Sequence, residues 1–178
     1  METPYAVVLV EGISDQLALL ALATRRGRDL EGEGVAVVPI EGSKNIGRFL
    51  DRFGPGGLDV RLTGLCDEGE ERDFRRGLER TGLGSELARD DMERLGFFVC
   101  VADLEDELIR SLGADAVEEV VDAMGELGSF RTFQRQPPWR ERSREEQLRR
   151  FLGTDGGRKI RSAHRLVDAL DLRRAPRP

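Results

Sequence analysis

Four short apolar runs constrain the fold of this chain more than any other feature: residues 6–10 (AVVLV), 35–40 (VAVVPI), 60–66 (VRLTGLC) and 97–101 (FFVCV). Each is broken by at most two polar positions, the pattern of a strand covered on both faces. Helical spacing follows every run. After the first, Leu17, Leu20 and Ala21 recur on one face, with Ser14 placed as the N-cap. After the second, Ile46, Phe49, Leu50 and Phe53 do the same and stop at Gly54-Pro55. "EGEERDFRRGLER" follows the third, with Phe74 and Leu78 facing inward, and "LEDELIRSLG" and "AVEEVVDAMGEL" follow the fourth, split at Gly113. Such alternation predicts an α/β fold: a four-stranded, mainly parallel, Rossmann-like sheet flanked by helices. Pro137-Pro138 interrupts the chain, and "REEQLRRFLG" and "GRKIRSAHRLVDALDL" beyond it read as two further helices. The expected division is an α/β domain over residues 1–130 and a basic helical extension over 131–178 that packs on it and completes the site.

In parallel open sheets, ligands bind beyond the carboxyl ends of the strands. The residues leaving those ends are acidic. The first strand exits into Glu11-Gly12 with Asp15 one turn on, and the second into Glu41-Gly42-Ser43-Lys44-Asn45. The third exits into Asp67-Glu68-Gly69-Glu70, and the fourth into Asp103-Leu104-Glu105-Asp106-Glu107. Carboxylates gathered on one edge repel one another in a partly desolvated site. Hard divalent cations relieve that repulsion, because Mg²⁺ takes oxygen ligands and keeps several waters. Each acid also has a plainer role: Asp15 as a first-turn helix acid, Asp67 as a cap, and residues 105–107 as the start of a helix. The recurrence of acids at three strand ends favours the metal.

Charge is divided unevenly along the chain. Residues 1–130 hold 14 basic and 28 acidic side chains, a balance of −14, whereas residues 131–178 hold 14 and 6, a balance of +8. An acidic body with a basic arm suits a polyanionic partner. Only Lys44 and Lys159 are lysines among 28 basic residues, and a retained lysine favours a compact point charge over a planar fork. Cys66 and Cys100 lie in apolar runs without CxxC spacing and read as reduced, buried hydrophobes. No apolar run reaches the roughly 18 residues of a membrane span, and the N-terminus lacks a secretory pattern, so a cytoplasmic location is expected.

Taken with their strand context, these residues resemble the Toprim domain, the metal-binding fold of topoisomerases, primases and OLD-family (overcoming lysogenization defect) nucleases. "LVEG" supplies the acid after the first strand, Glu11, and "GLCDEGE" the acidic motif after the third, Asp67. Within that superfamily the chain is most similar to the OLD branch, over residues 5–170. "EGISD" places Asp15 four residues after Glu11, "VADLEDELI" carries Glu105, and "GRKIRSA" carries a late lysine, Lys159. The resemblance implies that Glu11, Asp15, Asp67 and Glu105, helped by Glu70, hold Mg²⁺ or Mn²⁺. Glu11, Asp67 and Lys159 would be the catalytic residues, Lys159 stabilising charge on the phosphoryl oxygens. Two such ions activate water and stabilise the leaving oxygen of a phosphodiester.

Two departures accompany the resemblance. The usual Asp-x-Asp motif is here Asp67-Glu68-Gly69, leaving Glu68 or Glu70 to replace the missing ligand. Full-length OLD proteins resemble ABC-type ATPases fused to a Toprim domain, yet "EGSKNIGRF" is no GxxxxGK[ST] loop. Either the domain acts alone or a separately encoded ABC-type ATPase is its partner.

The expected activity is metal-dependent nuclease cleavage of nucleic acid, DNA in the first instance. Arg135, Arg140, Arg149, Arg150, Arg158 and Lys159 would contact backbone phosphates, which position a nucleic acid without reading its sequence. The alternative is a non-catalytic Toprim-like module that holds nucleic acid or regulates a partner ATPase. A nucleotidyl-transferring enzyme of the primase sort is a third reading, and two cysteines and one histidine leave it no accessory zinc domain.

Overall fold

Strand β1 (Ala6–Val10) lies inside a four-stranded sheet with β2 (Val35–Pro39) on one side and β3 (Arg61–Cys66) on the other, followed by β4 (Phe97–Val99). Every pairing is parallel. In register, Val10 faces Pro39 and Leu65, and Cys66 faces Val99, so the carboxyl ends of the strands form one edge. The computed structural model describes residues 3–176. They form two compact units that divide between Asp103 and Leu104.

In the first unit, helices α1 (Ile13–Arg25), α2 (Ile46–Phe53), α3 (Glu71–Arg80) and α4 (Arg89–Arg94) connect the strands. The crossover from β1 to β2 runs one way along the sheet and that from β2 to β3 runs the other. Right-handed crossovers therefore place α1 on one face and α2 and α3 on the opposite one. Side chains alternate accordingly. Val7 and Leu9 share a core with Ile46, Leu50, Phe74, Leu78 and Met92. Gly77 lets α3 approach α2 closely, since a Cβ there would stand 2.9 Å from Ile46 Cγ2. Gly64 does the same for the sheet, where a Cβ would stand 2.7 Å from the Phe97 ring.

The cap of helix α1 lies two residues before the expected one. Gly12 is the N-cap, and its backbone N–H donates to Asp15 Oδ2 at 2.9 Å. Ser14 is buried in the first turn instead. An acid at the third helical position reaches back to the cap, satisfies one orphan donor and favours the helix dipole.

The second unit is helical: α5 (Leu104–Leu112), α6 (Ala114–Ala123), α7 (Leu127–Gln134), α8 (Arg144–Gly153) and α9 (Gly156–Ala169). Gly113, at φ 81°, separates α5 from α6. Leu108, Ile109, Val117, Val121, Phe130, Leu148, Phe151, Leu152 and Leu166 are among its buried side chains. Ser143 caps α8 by accepting from the Glu146 N–H at 3.2 Å, and Glu146 accepts from the Ser143 N–H at 3.0 Å. Trp139 stacks on Phe133 with ring centroids 5.2 Å apart, and Arg150 lies over its ring. The indole is thus engaged in packing. The change in charge at residue 131 falls inside α7, within this unit. No helix among the described residues is long and apolar enough to cross a membrane.

Candidate metal centre

Glu11 follows the last residue of β1 and Asp67 the last residue of β3, and the two strands are hydrogen-bonded neighbours. This is the point where the strand order reverses direction, the ligand crevice of an open α/β sheet. Pairing continues past β3 and β4. The Cys100 N–H donates to the Cys66 carbonyl at 2.9 Å, and the Glu68 N–H to the Ala102 carbonyl at 3.0 Å. Asp67 is held between those two bonds at a fixed place on the edge. Glu11 is half-buried, and its Oε2 is closed off from solvent.

The Cys66 thiol reports on the field at this edge. Burial pushes its pKa far up, and the negative charges of Asp67, Glu71 and Glu11 push it further, against the single lowering influence of Arg89. Acids from two strand ends therefore act on one buried atom. A carboxylate-rich, partly desolvated edge fits a hard divalent cation, which needs only one or two carboxylates beside its waters.

Acids in and after the turn that follows Asp67 have protein partners. Arg89 binds Glu71, with 3.1 Å from Nε to Oε2, and reaches Glu68 at 4.0 Å. Glu70 accepts from the Ser43 hydroxyl, whose Oγ also lies 2.9 Å from Asp73 Oδ2. Ser43 is buried in the turn after β2, where Glu41 and Gly42 adopt positive φ and the Asn45 amide donates to the Ile40 and Glu41 carbonyls. Sequence reasoning gave Ser43 and Asp73 no role, since nothing in the spacing signals that α2 and α3 bring them together. Among the described residues no preassembled group of three or more metal-ligating side chains is present.

In the second unit Glu105 and Lys159 meet, with Nζ 3.2 Å from Oε2. The Glu105 side chain is only 5% exposed and that of Lys159 31% exposed, so the carboxylate is the deeper partner. Glu107 pairs with Arg110 at 2.7 Å. Arg158 is half-buried, donating to Glu126 and to the Phe151 carbonyl, with its guanidinium 4.0 Å from the Phe151 ring centre. Arg135, Arg140, Arg149 and Arg150 are exposed.

The sequence and the fold lead to the same relatives. Residues 5–68 match the family described as Overcoming lysogenization defect protein-like, TOPRIM domain. This segment is similar in sequence to OLD-like Toprim domains. The C-terminal region of the Xanthomonas campestris pv. campestris OLD protein superposes with a TM-score of 0.73 at 23% identity, covering 99% of this chain and 91% of that one. That of the Burkholderia pseudomallei OLD protein gives 0.75 at 19% identity, covering 98% and 93%. No curated protein sequence matches the chain.

Proposed function

We propose that the chain is a divalent-metal-dependent nuclease that hydrolyses phosphodiester bonds, with DNA as substrate. The observation that carries this reading is the departure of Glu11 and Asp67 from adjacent parallel strands at the switch point of the Toprim sheet. Glu11 and Asp67, with Asp15 one helical turn beyond Glu11, would hold Mg²⁺ or Mn²⁺, and Glu105 and Glu70 would supply further oxygens. When bound, such an ion supplies Lewis acidity toward a phosphoryl oxygen and lowers the pKa of water.

Each residue contributes in its own way. Asp15 gives one oxygen to the Gly12 N–H, which fixes the turn that carries Glu11. Asp67 is placed by the bonds on either side of it. Lys159 would donate to a phosphoryl oxygen as negative charge develops there, a role for a preorganised cation. Its pairing with Glu105 holds the ammonium in one position before substrate arrives. Exposed arginines of the second unit, Arg135, Arg140, Arg149 and Arg150, would hold backbone phosphates by charge.

Purified protein with Mn²⁺ or Mg²⁺ is expected to nick supercoiled plasmid, and Glu11→Gln to reduce nicking by about 100-fold or more. Nicking that survives Glu11→Gln at the wild-type rate would refute the assignment. Gly69 in place of a second aspartate, together with Glu70 turned to Ser43, favours one rival: a non-catalytic module that binds nucleic acid or a partner ATPase. Calorimetry that finds DNA binding intact but no saturable divalent-ion binding would establish that rival.

A further inference from the structure

The turn after β2 and the facing side of α3 enclose a recess of about 240 Å³ in the first unit. Lys44, Arg76 and Arg80 line it, with Asp73 and the buried Ser43 beside them. Three cations against one carboxylate stand here, within residues 1–130, whose balance is −14. None of the three forms an ion pair among the described residues. Their neighbour Arg75 behaves otherwise, binding Glu71 at 3.8 Å and the Leu87 carbonyl. Cations that outnumber the carboxylate beside them repel one another, and an anion relieves that repulsion.

The backbone is shaped to admit this arrangement. A Cβ on Gly47 would stand 1.6 Å from an Arg80 guanidinium nitrogen, so the guanidinium rests where any other residue's side chain would begin. Gly77, one helical position from Arg76, brings α3 onto α2. The recess also adjoins the acidic edge: Ser43 binds Glu70, in the turn that starts at Asp67. Both signs of charge therefore occur side by side along the carboxyl edge of one sheet.

We infer that this recess holds a backbone phosphate of the nucleic-acid strand, next to the phosphate addressed by the carboxylates. The inference rests on the nuclease reading and adds a contact surface separate from the arginines of the second unit. A polyanion laid along this edge meets cations where it leaves the carboxylates. Lys44 supplies a point charge, and Arg76 and Arg80 supply planar donors that fit phosphate oxygens.

The test is equilibrium binding of a short labelled duplex in EDTA across a range of salt. Arg76→Ala/Arg80→Ala is expected to weaken binding about 10-fold and to flatten the slope of log K against log salt by about 2. Mn²⁺ binding by the same variant, measured by calorimetry, should equal that of wild type and shows that the carboxylate edge is intact. Lys44→Ala, a fully surface change, is expected to flatten the slope by about 1 and serves if the double variant does not fold. Wild-type affinity and slope in the folded variants would overturn the inference while leaving the nuclease reading in place. Displacement of the duplex by inorganic phosphate at equal phosphate concentration would assign the recess to a small anion instead. Failure of the wild-type chain to bind any duplex would also overturn the inference, whereas the nuclease reading falls only if nicking with Mn²⁺ or Mg²⁺ fails.

Discussion

At the residue scale, three places in the fold make the electrostatics testable. Burial alone would raise the Glu126 carboxyl, but hydrogen bonds from Arg158 and Arg161 outweigh it and hold the pKa below its ordinary value of 4.5. A group depressed on folding contributes stability that is complete above its unfolded pKa and is lost as pH falls through the lower folded value. Wild-type stability is therefore expected to drop as pH falls below about 4.5, and Glu126→Gln to remove part of that slope while costing about 2 kcal/mol near neutrality. Urea titrations at several pH values read both. The Cys66 thiol is pushed the other way, first by burial and then by Asp67, Glu71 and Glu11. It is expected to resist thiol reagents in the folded protein and to react only on unfolding, because the thiolate is the reactive form. The Lys159–Glu105 pair separates stability from catalysis. Lys159→Met leaves a buried carboxylate without that partner and is expected to cost about 2 kcal/mol. Glu105→Gln/Lys159→Met should recover most of that loss in thermal denaturation, and nicking should stay absent in both.

At the scale of elements, the strands were legible because each is a near-continuous apolar run, the pattern of a strand covered on both faces. Each observed strand ends within two residues of its run. Helix starts were less legible. The Ser14 hydroxyl looked like a cap, but the Asp15 carboxylate reaches the Gly12 N–H and starts the helix earlier. Helix α4 has only six residues, too few for a 3.6-residue period to show, and α7 sits among charged residues ahead of the double proline. The candidate site divides in the same way. Glu11 and Asp67 follow from strand ends, so position in the sequence is enough to find them. Ser43, Asp73 and Arg80 are gathered by the approach of α2 to α3 across Gly47 and Gly77, which no local spacing encodes. Two substitutions probe the elements directly. Gly64→Ala places a Cβ 2.7 Å from Phe97 and 3.1 Å from the Leu9 carbonyl, and is expected to cost about 1–3 kcal/mol by overpacking. Ser143→Ala removes the cap of α8 and should cost about 1 kcal/mol, read from the denaturation midpoint at unchanged m-value.

For the whole molecule, the charge division and the division into compact units obey different rules. The balance changes sign at residue 131, within α7, because charge records which partner a surface meets. Packing divides the chain between Asp103 and Leu104, where the sheet unit ends and the helical unit begins. The sheet unit carries the acidic edge, and the helical unit carries the Glu105–Lys159 pair. The central claim is narrower than catalysis: carboxylates ending two neighbouring parallel strands bind a divalent cation. Isothermal titration of Mn²⁺ into the full chain, wild type against Glu11→Gln and Asp67→Asn, measures it without any substrate. Saturable binding in wild type that is lost in both folded variants is the expected result. Binding of equal affinity and stoichiometry in all three proteins would contradict it.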